Sequence, residues 1–176
     1  LAQNRLRLNV AAYIFEVDGQ QITAVGGEFN TATLLNVEKT EGYGLEADIE
    51  WTPSANVFMT FGASYNPTEI KDENLWVPAC GGGCTVLDPT IPDPSNPGAS
   101  IALIDGNSLP HAPDVVFNGI VNFRSDPVHK GFFGTLDWAY YSKKQFMLYE
   151  SAEFQDDSLE IGLRFGYGWN HSNYEI

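Results

Sequence analysis

The sequence predicts an all-β fold in which antiparallel strands run up and down in succession, and three observations predict it. Apolar and polar residues alternate with period 2 in several long segments, the spacing that sends successive side chains to opposite faces of a strand. Each such segment has one dry face and one largely polar face. The connections between segments alternate between short and long.

An opening strand is expected around Leu6, Leu8, Val10, Ala12 and Ile14, with Arg5, Arg7 and Asn9 on its other side. The next places Tyr43, Leu45, Ala47, Ile49 and Trp51 on one face and Glu46, Asp48 and Glu50 on the other. Four more follow the same rule, led by Val57–Tyr65, Val115–Phe123, Phe132–Tyr140 and Leu159–Tyr167. None of the dry-face positions in these strands carries a charge, an amide or an aliphatic hydroxyl. Tight reversals are expected over Thr52–Asn56, around Asp126 and Pro127, and from Trp169 to Asn173, where Pro, Asn and Ser suit turns. Long connections are expected over residues 18–36, 67–113 and 143–157. The second holds eight of the ten prolines, a density that argues against regular strand pairing and for extended, exposed chain.

Two architectures produce this pattern. In a soluble β-sandwich the dry face points at a second sheet. In an up-and-down transmembrane β-barrel it points at lipid, with short turns on one rim and long loops on the other. Tyr43 to Trp51 spans about 26 Å at roughly 3.3 Å per residue, or about 20 Å of height once tilted, with an aromatic residue at each end. That height, bounded by aromatics that would form two interfacial girdles, favours the barrel.

Charge and motifs exclude other classes. With 23 acidic against 9 basic residues the net charge is -14, which repels a phosphate backbone, so no nucleic-acid partner is expected. No apolar run reaches the roughly 18 residues of a membrane helix, which leaves strands as the means of crossing. No GxSxG elbow, phosphate-binding glycine loop or HExxH helix is present, so neither an enzyme nor a cofactor is expected.

Particular stretches carry a resemblance. The run from Glu41 through Gly-Tyr-Gly-Leu-Glu to Trp51 and the turn to Val57 is similar to a strand, turn and strand of TonB-dependent outer-membrane receptors. Leu109-Pro-His-Ala-Pro113 resembles a segment that opens a later strand in those barrels, with His111 where Asn is common. Arg5–Tyr13 and Leu159–Tyr167 resemble strands before and after these. The resemblance covers nearly the whole chain and implies six strands and a started seventh, at Tyr174, in the C-terminal third of a barrel of about 22 strands. It implies an outer-membrane location in a Gram-negative bacterium and active uptake of a scarce nutrient such as an iron-siderophore, cobalamin or a glycan. The implied partners are outer-membrane lipid, the rest of the same barrel with its plug, and the TonB complex; neither a plug domain nor the closing strands are recognisable in this chain. A secreted β-sandwich that binds glycans, or a passive porin, is the alternative.

Candidate site residues follow from these readings. Tyr43, Leu45, Ile49, Trp51, Phe61 and Trp138 are expected to face lipid. Cys80 and Cys84, separated by three glycines that permit a tight reversal, are expected to form a disulfide that shapes a loop tip. Two cysteines with no adjacent histidine fall short of a zinc site. Trp76 is a candidate for ligand contact from the extracellular side, although packing under its own loop competes with that role. The acidic residues Asp72, Glu73, Asp88, Asp93 and Asp105, with Glu150, Glu153, Asp156 and Asp157, could supply oxygen ligands to calcium but lack a calcium-loop spacing. Glu46, Asp48 and Glu50 read as the polar lining of a water-filled lumen, and His111, His129 and His171 as surface residues. Thiol titration of unreduced, denatured protein is expected to find no reactive thiol; two reactive thiols would refute the disulfide.

Overall fold

The computed structural model describes residues 5–126 and 130–168, and its regular structure is strand throughout. The strands are β1 (Leu6–Gly26), β2 (Thr31–Ser54), β3 (Val57–Tyr65), β4 (Thr68–Lys71), β5 (Trp76–Pro78), β6 (Thr90–Pro92), β7 (Ser100–Leu103), β8 (Val115–Arg124), β9 (Gly131–Tyr141), β10 (Lys144–Gln145), β11 (Phe154–Gln155) and β12 (Ser158–Gly168). The main sheet has the order β1-β2-β3-β8-β9-β12, antiparallel at every step, with β4 adding to β2 beyond the end of β3. The sheet is open, with β1 at one edge and β12 at the other. The turn at Trp169–Asn173 and the strand start at Tyr174 lie outside the described residues.

Register is what turns the alternation of each strand into one surface. Leu8, Ile49, Phe61, Gly119, Trp138 and Ile161 are side-by-side partners across all six strands. The row below it holds Leu6, Trp51, Met59, Val121, Leu136 and Leu163, and the row above it Val10, Ala47, Ala63, Phe117, Tyr140 and Leu159. A slip of one residue anywhere would turn that strand's apolar set to the polar face. The reverse face carries rows such as Asn9, Asp48, Gly62, Asn118, Ala139 and Glu160.

Glycines on both faces sit beneath aromatic partners. Gly44 lies under the Tyr13 ring, Gly42 under Phe15 and Gly166 under Phe133, each opposite its aromatic partner in the ladder. Gly119 lies under the Trp138 ring, and the missing side chain lets Trp138 meet Phe61 from the next strand but one, ring centroids 5.7 Å apart. Such cross-strand pairs are the units of sheet stability.

Two of the expected long connections are corrected by the structure. Residues 18–36 are no loop: β1 and β2 continue as one hairpin in constant register from Leu6 opposite Trp51 to Gly26 opposite Thr31. The turn is Gly27–Asn30, with positive φ at both Gly27 (77°) and Asn30 (49°), residues suited to that conformation. The simple alternation breaks here, which hid the strands. Val37 and Thr40 would lie on opposite faces of a regular strand, yet both are completely buried. Gly19, at φ 64°, lies beside this break, and Thr40 Oγ1 donates to Gln20 Oε1 across it.

The proline-rich stretch 67–113 also pairs, contrary to the expectation from its composition. β5, β7 and β6 form an antiparallel three-stranded sheet in that order, and β4 joins the main sheet. Pro78 and Pro92 stand at the last positions of β5 and β6, where proline ends a strand instead of interrupting it. The stretch 143–157 contributes the short β10–β11 pair.

The buried core lies beyond the region where all six strands pair, reached only by the upper ends of β1 and β2. Ala24, Val37, Ile70, Val77, Ala102, Ile104, Leu148 and Tyr149 form one cluster at the end of the sheet where the long connections gather. This cap is a packed body with its own interior. Gly119→Ala, which forces the Trp138 ring off its seat, should lower stability by about 1–3 kcal/mol in equilibrium denaturant unfolding. Gly134→Ala, whose added methyl would meet nothing closer than 3.6 Å, should be neutral or slightly stabilising. Equal losses from both would refute the aromatic-over-glycine account.

Candidate functional site

The two candidate functional features are the apolar face of the wall and the cap above it. On the wall, Ile49, Trp51, Phe61 and Trp138 stand in the rows above, and Leu45 and Tyr43, opposite Ala12 and Ile14, continue the same face of β2 at the two-residue repeat. Tyr43, Leu45 and Trp51 are exposed, and Ile49, Phe61 and Trp138 are half-buried only by their neighbours in the sheet. On the edge strand β12 the same face is barer still, with Leu163 72% and Phe165 81% exposed. Among the described residues no second layer covers it. Tyr43 meets Tyr65 edge-on at 6.1 Å and Phe117 stacks on Tyr140 at 4.5 Å near the cap end, while Phe132 meets Tyr167 at 4.9 Å near the other. Aromatic pairs therefore stand at both borders of the apolar band.

The reverse face carries Glu46, Asp48 and Glu50 on alternate positions of β2, with Arg7 beside Glu50 at 3.6 Å. Where β2 rises towards the cap, Lys39 pairs with Glu16 at 2.9 Å and Lys71 with Glu41 at 3.7 Å. A hydrogen bond to the Glu16 carboxylate, reinforced by its charge, holds the Lys39 amine above its usual range, and Glu69 does the same for Lys71.

In the cap, Cys80 and Cys84 are bonded to one another, their Cα atoms 6.3 Å apart. The ring they close docks on the tip of the β1–β2 hairpin. Gly27 N–H donates to Ala79 O at 2.8 Å and Gly81 N–H to Asn30 Oδ1 at 3.1 Å. The approach is close enough that Gly26 and Gly81 leave no room for a side chain, since a Cβ on either would strike backbone atoms of the other segment. Beneath the ring, Tyr149 is 1% exposed with its hydroxyl 3.8 Å from Cys84 Sγ. Burial pushes its phenol up, the Cys80 backbone amide opposes this, and Glu153 adds to the rise. Trp76 opens β5 opposite Leu103, half-buried in the small sheet.

Several acidic residues of the long connections hold the cap's amides. Asp72 accepts from the Glu38 and Asn74 amides, Asp88 from Asn107 Nδ2 and the Glu150 amide, and Asp93 from Ser95. Glu153 accepts from Thr85 N–H at 2.7 Å. Their oxygens point at separate amides and do not converge, and the described residues hold no group of three side chains placed for a metal. His111 adopts φ 60° with its ring 5.6 Å from Phe146; His129 and His171 lie outside the described residues.

The sequence reading missed the cap core and Tyr149 within it. Isolated apolar residues in separate loops carry no periodicity, so only the fold brings Val37, Ile70, Val77, Ile104 and Tyr149 together. No family model, curated protein or solved structure matches the chain.

Tyr149 makes the cap sensitive to alkali. With its folded pKa raised above the ordinary value near 10, its contribution is complete below about pH 10 and is lost as the pH climbs through the folded value. In a titration followed by tyrosinate absorbance, one tyrosine should ionise later than the exposed ones, and Tyr149→Phe should abolish that late component. A late component that persists in Tyr149→Phe would refute the assignment.

Proposed function

We propose that the six-stranded sheet is part of the wall of a transmembrane β-barrel in the outer membrane of a Gram-negative bacterium, and that it belongs to a TonB-dependent receptor for active uptake of a scarce nutrient. The observation that carries this reading is the apolar face: six strands in register, bounded by aromatic pairs, polar on the reverse and uncovered by any second layer among the described residues. A sandwich would bury such a face against another sheet. Here the buried apolar side chains are all at the cap end, and the wall itself buries only glycines such as Gly44 and Gly119.

The open edges of β1 and β12 fit the same reading. In hydrocarbon an unpaired strand edge leaves backbone donors and acceptors without partners, so a lipid-spanning sheet must close. Further strands of the same barrel, about 22 in all, would pair these edges. The carboxylates Glu46, Asp48 and Glu50 would then line the lumen, and lipid would contact Tyr43, Leu45, Ile49, Trp51, Phe61 and Trp138. Uptake of an iron-siderophore, cobalamin or a glycan, gating by a plug and coupling to TonB rest on the sequence resemblance.

Membrane fractionation tests the wall. The protein should remain in the outer-membrane fraction until detergent is added. Ile49→Arg, central in the apolar band, should cost about 2–4 kcal/mol of stability in the membrane, while Asp48→Arg on the reverse face should cost much less. Release into buffer without detergent, or equal tolerance of both substitutions, would refute the lipid-facing assignment.

A further inference from the structure

All three long connections meet at the Cys80–Cys84 ring. On its leading side, Ala79 O accepts from the Gly27 amide of the β1–β2 tip at 2.8 Å, and the Ala79 amide donates to Ser100 O at 2.9 Å. On its trailing side, the Thr85 amide donates to Glu153 Oε2 at 2.7 Å, Thr85 O accepts from the Ala152 amide at 2.9 Å, and the Leu87 amide donates to Glu150 O at 2.9 Å. The segment before the ring is therefore held by the hairpin tip and the small sheet, and the segment after it by the 143–157 connection. The ring joins the two.

What fixes the ring is its sulfur bridge. The residues between the cysteines are Gly81, Gly82 and Gly83, and glycine regains more conformational freedom than any other residue when a constraint is lifted. Gly82 and Gly83 hold φ of 152° and 81°, and among the described residues no atom lies within 4 Å of the point where a side chain would begin on either. Packing does not hold these two in place. Gly81, by contrast, abuts the hairpin tip so closely that a Cβ would strike the carbonyl oxygens of Gly27 and Glu28, and its amide donates to Asn30 Oδ1 at 3.1 Å. Both cysteines are half-buried against the cap's core, while the three glycines are exposed. The bridge thus stands at the surface, where a small thiolate can reach it.

We propose that the Cys80–Cys84 bridge is a redox latch that clamps the β1–β2 tip to the cap and lets it go on reduction by a dithiol. One thiolate of the dithiol attacks a bridge sulfur and forms a mixed disulfide, and the second thiol then closes the reagent into its own disulfide. Two cysteine thiols are left, and the two electrons and two protons they gain come from the dithiol. Without the bridge the glycines no longer press Gly81 onto Asn30, and the tip loses its clamp. A cavity of about 280 Å³ between the tip, the ring and the turn before Ser100 opens with it. The change stays local, because the pairing of β5 with β7 and the buried cluster beneath do not run through the sulfurs. The latch works in the same way whether or not the wall faces lipid.

Hydrogen exchange read by mass spectrometry tests it, on the full chain in mild detergent with and without millimolar dithiothreitol. On reduction, amides over residues 26–31 and 80–84 should exchange at least about tenfold faster, the mark of a local opening, while those over 43–51 and 115–123 keep their rates. Removing the reductant and reoxidising should restore the slow rates. Unchanged exchange at the tip once thiol titration shows both cysteines reduced would overturn the proposal. So would a bridge that resists the reagent in the folded protein, or a loss of protection that spreads to the wall. These outcomes are read on unsubstituted protein. Cys80→Ser with Cys84→Ser, where it folds, should show the fast rates with or without reductant, and slow rates at the tip of that variant would equally overturn the latch.

Discussion

Strand register is the constraint on which the rest of this structure depends. Because side chains alternate with period 2, six strands make a continuous apolar face only if every neighbouring pair agrees on which residues sit opposite. Here they agree from Leu8 to Ile161 through Ile49, Phe61, Gly119 and Trp138. Short turns hold that agreement on one rim. At the β2–β3 turn, Asn56 Nδ2 also binds the carbonyl oxygens of Arg124 and Ser125 at 2.6 and 2.8 Å, tying that rim to the end of β8.

The molecule divides its apolar residues between two different jobs. Those of the wall stay exposed and together make a surface, whereas those of the cap are buried and make an interior. The same residue types serve both, so composition cannot separate them. What separates them is regularity: the wall needs an unbroken two-residue repeat, and a small packed interior needs only that a few apolar side chains from several loops arrive at one place. The acidic residues divide in a similar way, with Glu46 and Asp48 facing open space on the wall and Asp72, Asp88 and Glu153 consumed in holding loop backbone.

That division also explains what was legible in the sequence. Strands β3, β8, β9 and β12, and the lower halves of β1 and β2, could be read almost to the residue, because each obeys the repeat that an extended chain with one dry face requires. The upper half of the β1–β2 hairpin escaped because its faces cease to alternate near Gly19, so Val37 and Thr40 both turn inward. The small sheet β5-β7-β6 is hidden by its proline density, which argues against pairing, whereas proline at the last residue of a three-residue strand forbids only continuation.

The cap has a consequence for the order in which the chain folds. Strands β3 and β8 are neighbours in the sheet but lie far apart in sequence, and closing so long a loop by diffusion is slow and entropically costly. The intervening segment pairs with β2 through β4, and Asn66 binds Pro113 and Asp114 across its two ends, at 3.2 and 2.8 Å. Once folded, the insertion acts as a splint that presents the start of β8 to the end of β3. A long-range closure thereby becomes a local one, and the fourth strand of the wall can zip onto the third almost as a hairpin would.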